Sequence, residues 1–198
     1  MTPWSLPGEA VIGGVTYEIH ADYRDILEIF SYMEDPDLPA FLKWQIALVL
    51  FFEEKIPEAH LQEAMQYLSD FLTAGCPEQE KPAPKLLDWE QDASVIVAEV
   101  NKVAGQEIRG LPFVHWWTFL AWFHGIGEGQ LSMIVGIREK LRKGKKLENY
   151  EKAFYREHKH RVDLKIRYSR QELEEQEKLN RLLAEGSEER ICRVGGGI

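Results

Sequence analysis

The stretch LPFVHWWTFLAWFHG, residues 111–125, decides the fold of this chain. It holds three of the six tryptophans and no charged residue. Pro112 is suited to a first helical turn, where its missing N–H is no loss, and Gly125 is suited to the turn that ends a helix. Because large aromatic side chains bury about 150–250 Å² each, a helix over residues 112–124 can anchor a domain. The side chains predicted to form its structural core are Trp116, Trp117, Phe119, Leu120 and Phe123.

A membrane span is the alternative explanation for such an apolar stretch. Residues 110–127 carry no charge, which approaches the length of about 17–20 residues that a span needs. Pro112 and three glycines interrupt this run, however, and its apolar part ends at Phe123. The shorter apolar length favours a buried core helix, and we expect no membrane partner.

Composition and charge limit the functional class. The chain has 198 residues, of which 44% are hydrophobic and 29% are charged, as is typical of a globular protein. Its net charge of −9 argues against a general nucleic-acid binder. Cys76 and Cys192 lie far apart and form no metal-binding pair, so we expect a protein of a reducing cytoplasm. We expect no signal peptide, because the first residues lack its basic and apolar regions.

The order of turn and helix signals predicts a mainly α fold. Gly13 and Gly14 separate two short runs of strand-forming residues, which is typical of a β-hairpin. In addition to this hairpin we predict about seven helices, arranged as two closely packed helical subdomains. The hairpin and three helices occupy residues 1–75, a proline-rich connector residues 76–87, a second helical subdomain residues 88–185 and a flexible tail residues 186–198.

Three local patterns give more detailed expectations. Asp22 is suited to cap the first helix. The second helix contains the run WQIALVLFF, residues 44–52, which is apolar on most sides and which we assign to the core. Asp88 with Gln91 three residues later resembles a capping box, so we predict a fourth helix from about Asp88 to Ala104.

No group of residues in the sequence indicates catalysis. His115 and His124 are nine residues apart, so they lie about 13–14 Å apart along one helix and cannot share a metal. We expect each of them to form a hydrogen bond with a neighbouring backbone group. Asp88, Glu90 and Asp92 are explained as an acidic first turn that complements the helix dipole. We therefore expect a protein without enzyme activity, catalytic residues, metal or cofactor.

A glycine-rich segment, GIGEG at residues 125–129, resembles the beginning of a dinucleotide-binding loop. It follows a predicted helix and not a strand, and Gln130 stands where that motif has its last glycine. We therefore interpret this segment as a turn between two helices.

Basic residues are concentrated in residues 138–170, where there are 13 Lys and Arg but only 5 Asp and Glu. The cations of this basic strip could contact phosphates, and the tyrosines among them could stack on bases. The alternative is a solvated helix face that docks on acidic surface elsewhere in the molecule. We consider nucleic-acid binding the less favoured function, because the protein is acidic as a whole.

A last helix is predicted from Ser169, which forms a capping box with Glu172, to about Glu185. Its apolar stripe is thin, so the helix is either exposed to solvent or available to a partner. Together with the basic strip it provides our candidate partner surface. This surface consists of Arg142, Lys145, Lys146, Lys152, Arg156, Leu179, Leu182 and Leu183.

Four motifs give the chain a family resemblance. They are YEIHADYRDIL at residues 17–27, LDWEQDA at residues 87–93, VHWWTFL at residues 114–120 and IVGIR at residues 134–138. In this order they resemble the bacteriophage "gene product fifteen" family, which occurs in phages and prophages of Gram-positive bacteria. The His-Trp-Trp element followed by Gly-Ile-Arg is the specific part, and Val114 stands where the family commonly has leucine or a similar residue.

The resemblance extends from about Trp4 to Tyr155 and implies a non-enzymatic phage or prophage tail-assembly chaperone or tail accessory protein. Such a protein binds the tape-measure protein and acts by protein–protein interaction. The implied partners are phage tail proteins, with a homo-oligomer as a further option, and the implied location is the cytoplasm of the bacterial host or the virion. A nucleic-acid-binding module that uses residues 138–170 is the alternative function.

Overall fold

The computed structural model describes residues 4–75 and 85–181, which are mainly helical. A β-hairpin of β1 (Glu9–Ile12) and β2 (Val15–Glu18) precedes the helices. The α-helices are α1 (Tyr23–Glu34), α2 (Ala40–Phe51), α3 (Leu61–Leu72), α4 (Ala93–Ala104), α5 (Trp116–His124), α6 (Gln130–Arg142) and α7 (Asn149–Val162). Short 3-10 turns occupy Glu58–His60 and Ile108–Gly110, and residues 170–181 are also helical. The predicted mainly α fold with a small N-terminal hairpin is confirmed.

The hairpin turn is formed by Gly13 and Gly14, as the sequence predicted. Both glycines have positive φ, 58° and 79°, which suits the tight two-residue turn of an antiparallel hairpin. The turn packs on the beginning of α3, where the Gly13 N–H donates to the Glu63 carboxylate at 2.9 Å. A Cβ at position 13 would lie only 2.5 Å from the His60 ring. The hairpin is thus fixed against a helix, which an isolated two-stranded sheet requires for stability.

The aromatic helix begins later than predicted. We predicted a helix over residues 112–124, but α5 begins at Trp116 and the residues before it are not helical. The Val114 N–H donates to the Asp22 carboxylate at 2.9 Å, and the Val114 carbonyl accepts from the Tyr23 N–H at 2.9 Å. Because these backbone groups bond to a distant part of the chain, they are not available for a first helical turn.

Asp22 and His115 face each other in an antiparallel bridge, and each of them caps a helix. The Asp22 carboxylate accepts the Arg24 N–H at 3.0 Å and so caps α1, as predicted. His115 Nδ1 accepts the Trp117 N–H at 3.0 Å and so caps α5. With Nδ1 as an acceptor the ring is neutral, and its Nε2–H donates to the Pro7 carbonyl at 3.0 Å. His115 therefore forms the backbone hydrogen bonds expected of it.

The two adjacent tryptophans close the C-terminal end of α3. The indole N–H of Trp116 donates to the Leu72 carbonyl at 3.0 Å, and that of Trp117 donates to the Phe71 carbonyl at 2.8 Å. The last carbonyls of a helix have no partner within that helix, so a buried helix end needs donors from elsewhere. The His-Trp-Trp element therefore caps its own helix and also the end of another one.

The fourth helix also begins later than predicted. α4 starts at Ala93, because Asp88 closes a separate turn in which its carboxylate accepts the N–H groups of Glu90 and Gln91. Asp88 and Asp92 are both buried, and each has a basic partner of its own. Their interpretation as an acidic first turn is therefore wrong.

Arg138 of α6 is the partner of Asp92, and its guanidinium uses all five N–H donors. Its Nη1 and Nη2 atoms lie 2.6 and 2.9 Å from the two Asp92 oxygens, and the side chains are only 5% and 3% exposed. The remaining donors bind the carbonyls of Leu86, Arg161 and Val162 at 3.0, 2.8 and 2.6 Å. The last two carbonyls belong to the C-terminal end of α7, so Arg138 joins α4, α6 and α7.

Buried side chains from both sides of the connector form one hydrophobic cluster. Trp116, Trp117, Phe119 and Leu120 lie within it, and Phe123 is half-buried beside the Trp89 ring. The rings of Tyr23 and Phe119 stack with centroids 4.9 Å apart and so join α1 to α5. The buried side chains of α5 therefore occupy the interior between the first and fourth helices.

The structure describes only the end of the connector, residues 85–87, and none of the predicted tail. Residues 76–84 of the connector and the whole predicted flexible tail, residues 186–198, lie outside the described residues. The bounds of the two subdomains and the tail therefore stay predictions. Within the described ranges, no helix is long and apolar enough to cross a membrane.

Replacement of Arg138 by methionine should lower the free energy of unfolding by about 3–5 kcal/mol, because it leaves the Asp92 carboxylate buried without its partner. Arg138→Lys should also destabilise the protein, because an ammonium has three donors and cannot form the forked pair. Urea unfolding followed by circular dichroism measures both effects. Arg142→Met, on the exposed end of the same helix, is the control and should change stability by less than about 0.5 kcal/mol. Equal losses at both positions would contradict the structural role of Arg138.

The stability of the protein should depend on the titration of His115. Burial lowers the pKa of the imidazole below 6.5, although the bond to the Pro7 carbonyl acts in the opposite direction. As the pH falls below about 6.5, the unfolded chain binds a proton at this site before the folded one does, so the folded state loses stability. His115→Asn keeps a capping oxygen but does not titrate. Its free energy of unfolding, measured in urea between about pH 7 and pH 5, should fall less steeply than that of the unchanged protein. Parallel pH profiles would contradict this account.

Candidate functional site

The two histidines of the aromatic helix have different environments. His115 lies at the beginning of α5 and is buried, whereas His124 lies at its end and is exposed. Within the described residues the His124 side chain forms no hydrogen bond, so the bond to a backbone group expected for it is absent. In the same part of the chain, no group of three His, Cys, Asp or Glu is placed to hold a metal ion.

The glycine-rich segment, residues 125–129, connects α5 to α6 and is the helix-to-helix turn that we predicted. A carboxylate of the protein itself lies at the N-terminal end of α6, where Glu99 Oε1 accepts the Gln130 N–H at 3.3 Å. A Cβ at Gly129 would lie 2.7 Å from that oxygen, so the glycine allows Glu99 to approach. In a dinucleotide-binding loop the N-terminal end of the following helix binds a phosphate. In this protein the carboxylate of Glu99 occupies the corresponding position at α6.

Part of the basic strip, residues 138–170, is bound to acidic groups of the protein itself. In addition to the buried pair of Arg138, Lys140 donates to Glu151 at 2.6 and 2.8 Å and links α6 to α7. Arg167 lies 3.2 Å from the Asp88 carboxylate. The pairs of Arg138 and Arg167 agree with the second interpretation of the strip, in which it docks on acidic surface elsewhere in the molecule, whereas Lys140 and Glu151 both lie within the strip.

Asp88 shows how strongly this docking affects one carboxylate. Burial by itself raises the pKa of Asp88, but the Gln91 N–H together with the cations Lys85 and Arg167 lowers it to about 2. The carboxylate is therefore charged at every physiological pH. It holds the extended chain after α7 against the turn before α4.

The candidate partner surface is exposed wherever the structure describes it. Leu179 is 55% exposed, whereas Leu182 and Leu183 lie outside the described residues. Five basic residues are exposed and form no ion pair with a carboxylate in the described part of the chain: Arg142, Lys145, Lys146, Lys152 and Arg156. The binding of a partner to this surface stays a prediction.

A surface groove between α2 and α3 was not predicted. It has a volume of about 890 Å³. Leu48, Phe52 and Ile56 lie at its base and are only 7%, 2% and 5% exposed. Leu61 and Met65, one helical turn apart on α3, form the opposite wall. The groove is therefore apolar along its base and on both sides.

The outer edge of this groove is an apolar face of α2 that is open to solvent. Phe41 is 67% exposed and Val49 is 74% exposed, and Gln45 lies between them at four-residue spacing. Our assignment of residues 44–52 to the core is therefore wrong for this face of the helix. The buried residues of α2 are Ala47, Leu48 and Phe51.

One end of the groove is acidic. Glu53, Glu54 and Glu58 line it together with Lys55, and we call these three glutamates the acidic rim. Glu18 at the end of β2 lies beside the rim, and its carbonyl accepts the Glu53 N–H at 3.1 Å. A side-chain hydrogen bond with Glu18 and the negative charge of Glu18 raise the pKa of Glu53. The groove therefore combines an apolar base with closely spaced negative charges.

Comparison with known proteins identifies the family. A family model described as Bacteriophage Gp15 protein matches residues 5–164. A search of curated proteins and a search of solved structures each gave no match. The matched range contains the groove and the contacts of Arg138 and His115, and it ends before the helical segment at residues 170–181. Because the match covers most of the chain, the protein belongs to the bacteriophage Gp15 protein family.

Proposed function

We propose that this protein is a tail-assembly chaperone or tail accessory protein that binds the tape-measure protein through protein–protein contacts and without catalysis. The observation that carries the proposal is the exposed apolar groove between α2 and α3. Membership of a phage family supports phage proteins as partners. On this proposal the protein acts in the cytoplasm of the bacterial host and can remain with the assembled virion.

The apolar face of α2 is energetically unfavourable while it is exposed to water, which supports a binding role. Contiguous apolar surface on a protein commonly marks a site of protein interaction. Each large apolar side chain that passes from exposed to fully buried contributes about 1.5–3 kcal/mol. Phe41 and Val49 together can therefore provide a useful part of a binding free energy once a partner covers them.

The dimensions of the groove suit a helical segment. α2 has 12 residues, which at 1.5 Å per residue gives a wall about 18 Å long. A client helix of about three turns can lie along such a wall and insert apolar side chains at i, i+3, i+4 and i+7. A long helical client that must be kept from aggregating presents many such segments, so a groove of this kind supports the chaperone role.

Val49→Asp should abolish binding of the tape-measure protein without unfolding the chaperone. Val49 is 74% exposed, so an aspartate there remains in water in the free protein but would be buried without a partner in the complex. The experiment co-expresses a fragment of the tape-measure protein with the tagged full chain and measures how much soluble fragment is captured. We expect capture to fall at least about tenfold, as a buried unpaired carboxylate requires.

Ile166→Asp is the matched control for this experiment, because Ile166 is 71% exposed and does not line the groove. It should capture the fragment as well as the unchanged protein does. Circular dichroism and urea unfolding establish that both variants fold. Absence of capture by the unchanged protein, or equal capture by both variants, would overturn the proposal.

A second variant tests whether the candidate partner surface takes part. Replacement of its five exposed basic residues by glutamine removes their charge but leaves the groove intact. If the groove is sufficient, this variant should capture the tape-measure fragment within about twofold of the unchanged protein, since exposed ion pairs contribute little each. A loss as large as that of Val49→Asp would move the binding site to the basic strip.

A further inference from the structure

The two walls of the groove favour a helical partner. Trp44 and Leu48 lie one turn apart on α2, and Leu61 and Met65 lie one turn apart on α3. Both walls are helices, and the apolar base between them is formed by Leu48, Phe52 and Ile56. A row of apolar side chains from one helix fits between two such walls, as in other helix-in-groove complexes.

The negative charges at one end of the groove favour a partner that carries positive charges. Within the described residues, none of Glu53, Glu54 and Glu58 forms an ion pair, and neither does the neighbouring Glu18. Lys55 is the one cation among the residues that line the described groove, so the acidic rim and Lys55 together have a net charge of about −2 if each glutamate counts as −1. A partner that places cations here gains from complementary charge.

Repulsion among these glutamates affects the pKa of Glu53. The hydrogen bond with Glu18 and the charge of Glu18 raise its pKa, and the nearby Glu54 acts in the same direction. His20 is the neighbouring basic group that opposes this effect. The free protein thus keeps like charges close together without a strong internal cation to relieve them, and an external cation can do so.

We infer that the groove takes an amphipathic helix whose apolar stripe lies between α2 and α3 and whose lysine or arginine side chains flank that stripe against Glu53, Glu54 and Glu58. This inference rests on the proposed function, because it states which segments of the client protein are recognised. The apolar stripe supplies the larger part of the affinity, and the basic flank fixes the position and direction of the helix in the groove.

The α7 helix of a second copy of this chain is a poorer occupant than such a helix. The exposed basic residues Lys152 and Arg156 lie on α7, whose exposed neighbours Lys159 and His160 are also polar. That face therefore offers cations without an apolar stripe to fill the groove. Self-association through the groove would appear as a dimer that Val49→Asp dissociates.

The test uses two fluorescent peptides of about 18 residues, the length of five helical turns, with the same apolar stripe. One carries lysine and the other glutamate beside the stripe, and fluorescence anisotropy measures their binding to the full chain. At low salt we expect the lysine peptide to bind about tenfold more tightly, as two or three exposed ion pairs provide. Salt at about 0.5 M should reduce this preference by screening.

Two double variants decide whether the acidic rim is responsible. Glu53→Gln with Glu54→Gln should remove most of the lysine preference and leave the stripe-dependent binding. Glu157→Gln with Glu174→Gln makes the same change in net charge at exposed positions outside the groove and should leave the preference unchanged. Val49→Asp should weaken the binding of the lysine peptide, and such a loss would show that the peptide lies in the groove.

Failure of this inference and failure of the proposed function give different results. Equal binding of the two peptides, or a lysine preference that survives in the rim variant, would overturn the inference. So would a groove-dependent dimer that excludes both peptides. Capture of the tape-measure fragment that depends on Val49 but not on the acidic rim would leave the proposed function intact and overturn the inference alone. A rim-dependent peptide preference without capture of the fragment would overturn the proposed function alone.

Discussion

The C-terminal ends of two helices impose the constraint on which the rest of this structure depends. The last carbonyls of a helix lack partners within that helix, and at the ends of α3 and α7 some of them accept donors from a distant part of the chain. The indoles of Trp116 and Trp117 supply the donors for α3, and the guanidinium of Arg138 supplies them for α7. Because the donors lie on α5 and α6, these bonds determine which helix ends lie together.

These contacts explain why the motifs that carry the family resemblance occur together. Asp22 in the first motif binds the backbone of Val114 in the third, and Asp92 in the second binds Arg138 in the fourth. The first and third motifs are thus in contact in the folded protein, and so are the second and fourth. The resemblance therefore reports on the scaffold. The residues that line the groove lie in none of the four motifs, so the family likeness does not by itself locate a binding surface.

The sequence predicts those parts of the fold that local interactions determine. Gly13 and Gly14 act within a hairpin, and Asp22 caps the residues next to it, so both features were predicted correctly. The starts of α4 and α5 were placed too early. The Asp88 carboxylate closes a separate turn before α4, and the long-range bond from Val114 to Asp22 keeps the residues before α5 out of the helix. Arg138 itself gave no local signal, since a single arginine on a helix face is usually solvated.

The groove escaped prediction for a different reason. Hydrophobic periodicity reports which sides of a helix are apolar, but it does not report how many neighbours are present to cover them. α2 is apolar nearly all round, and within the described chain α1 and α3 are the helices against which it mainly packs. Ala47 and Phe51 satisfy those contacts, and Phe41 and Val49 are left in water. The acidic residues that directly follow the run, Glu53 and Glu54, were the available signal that this helix ends at a surface and not in a core.

The scaffold also bears on how a partner could use this surface. One wall of the groove is α3, whose C-terminal end is held by the two indoles and whose N-terminal end is held by the hairpin turn at Gly13. The other wall is α2, which continues into an extended segment where Phe52 pairs with Ile19 beside β2. Both walls are thus fixed before any partner arrives, so a binding helix need not order them. A groove that is formed in advance spares the partner that entropic cost, and its apolar contacts can contribute more fully to affinity.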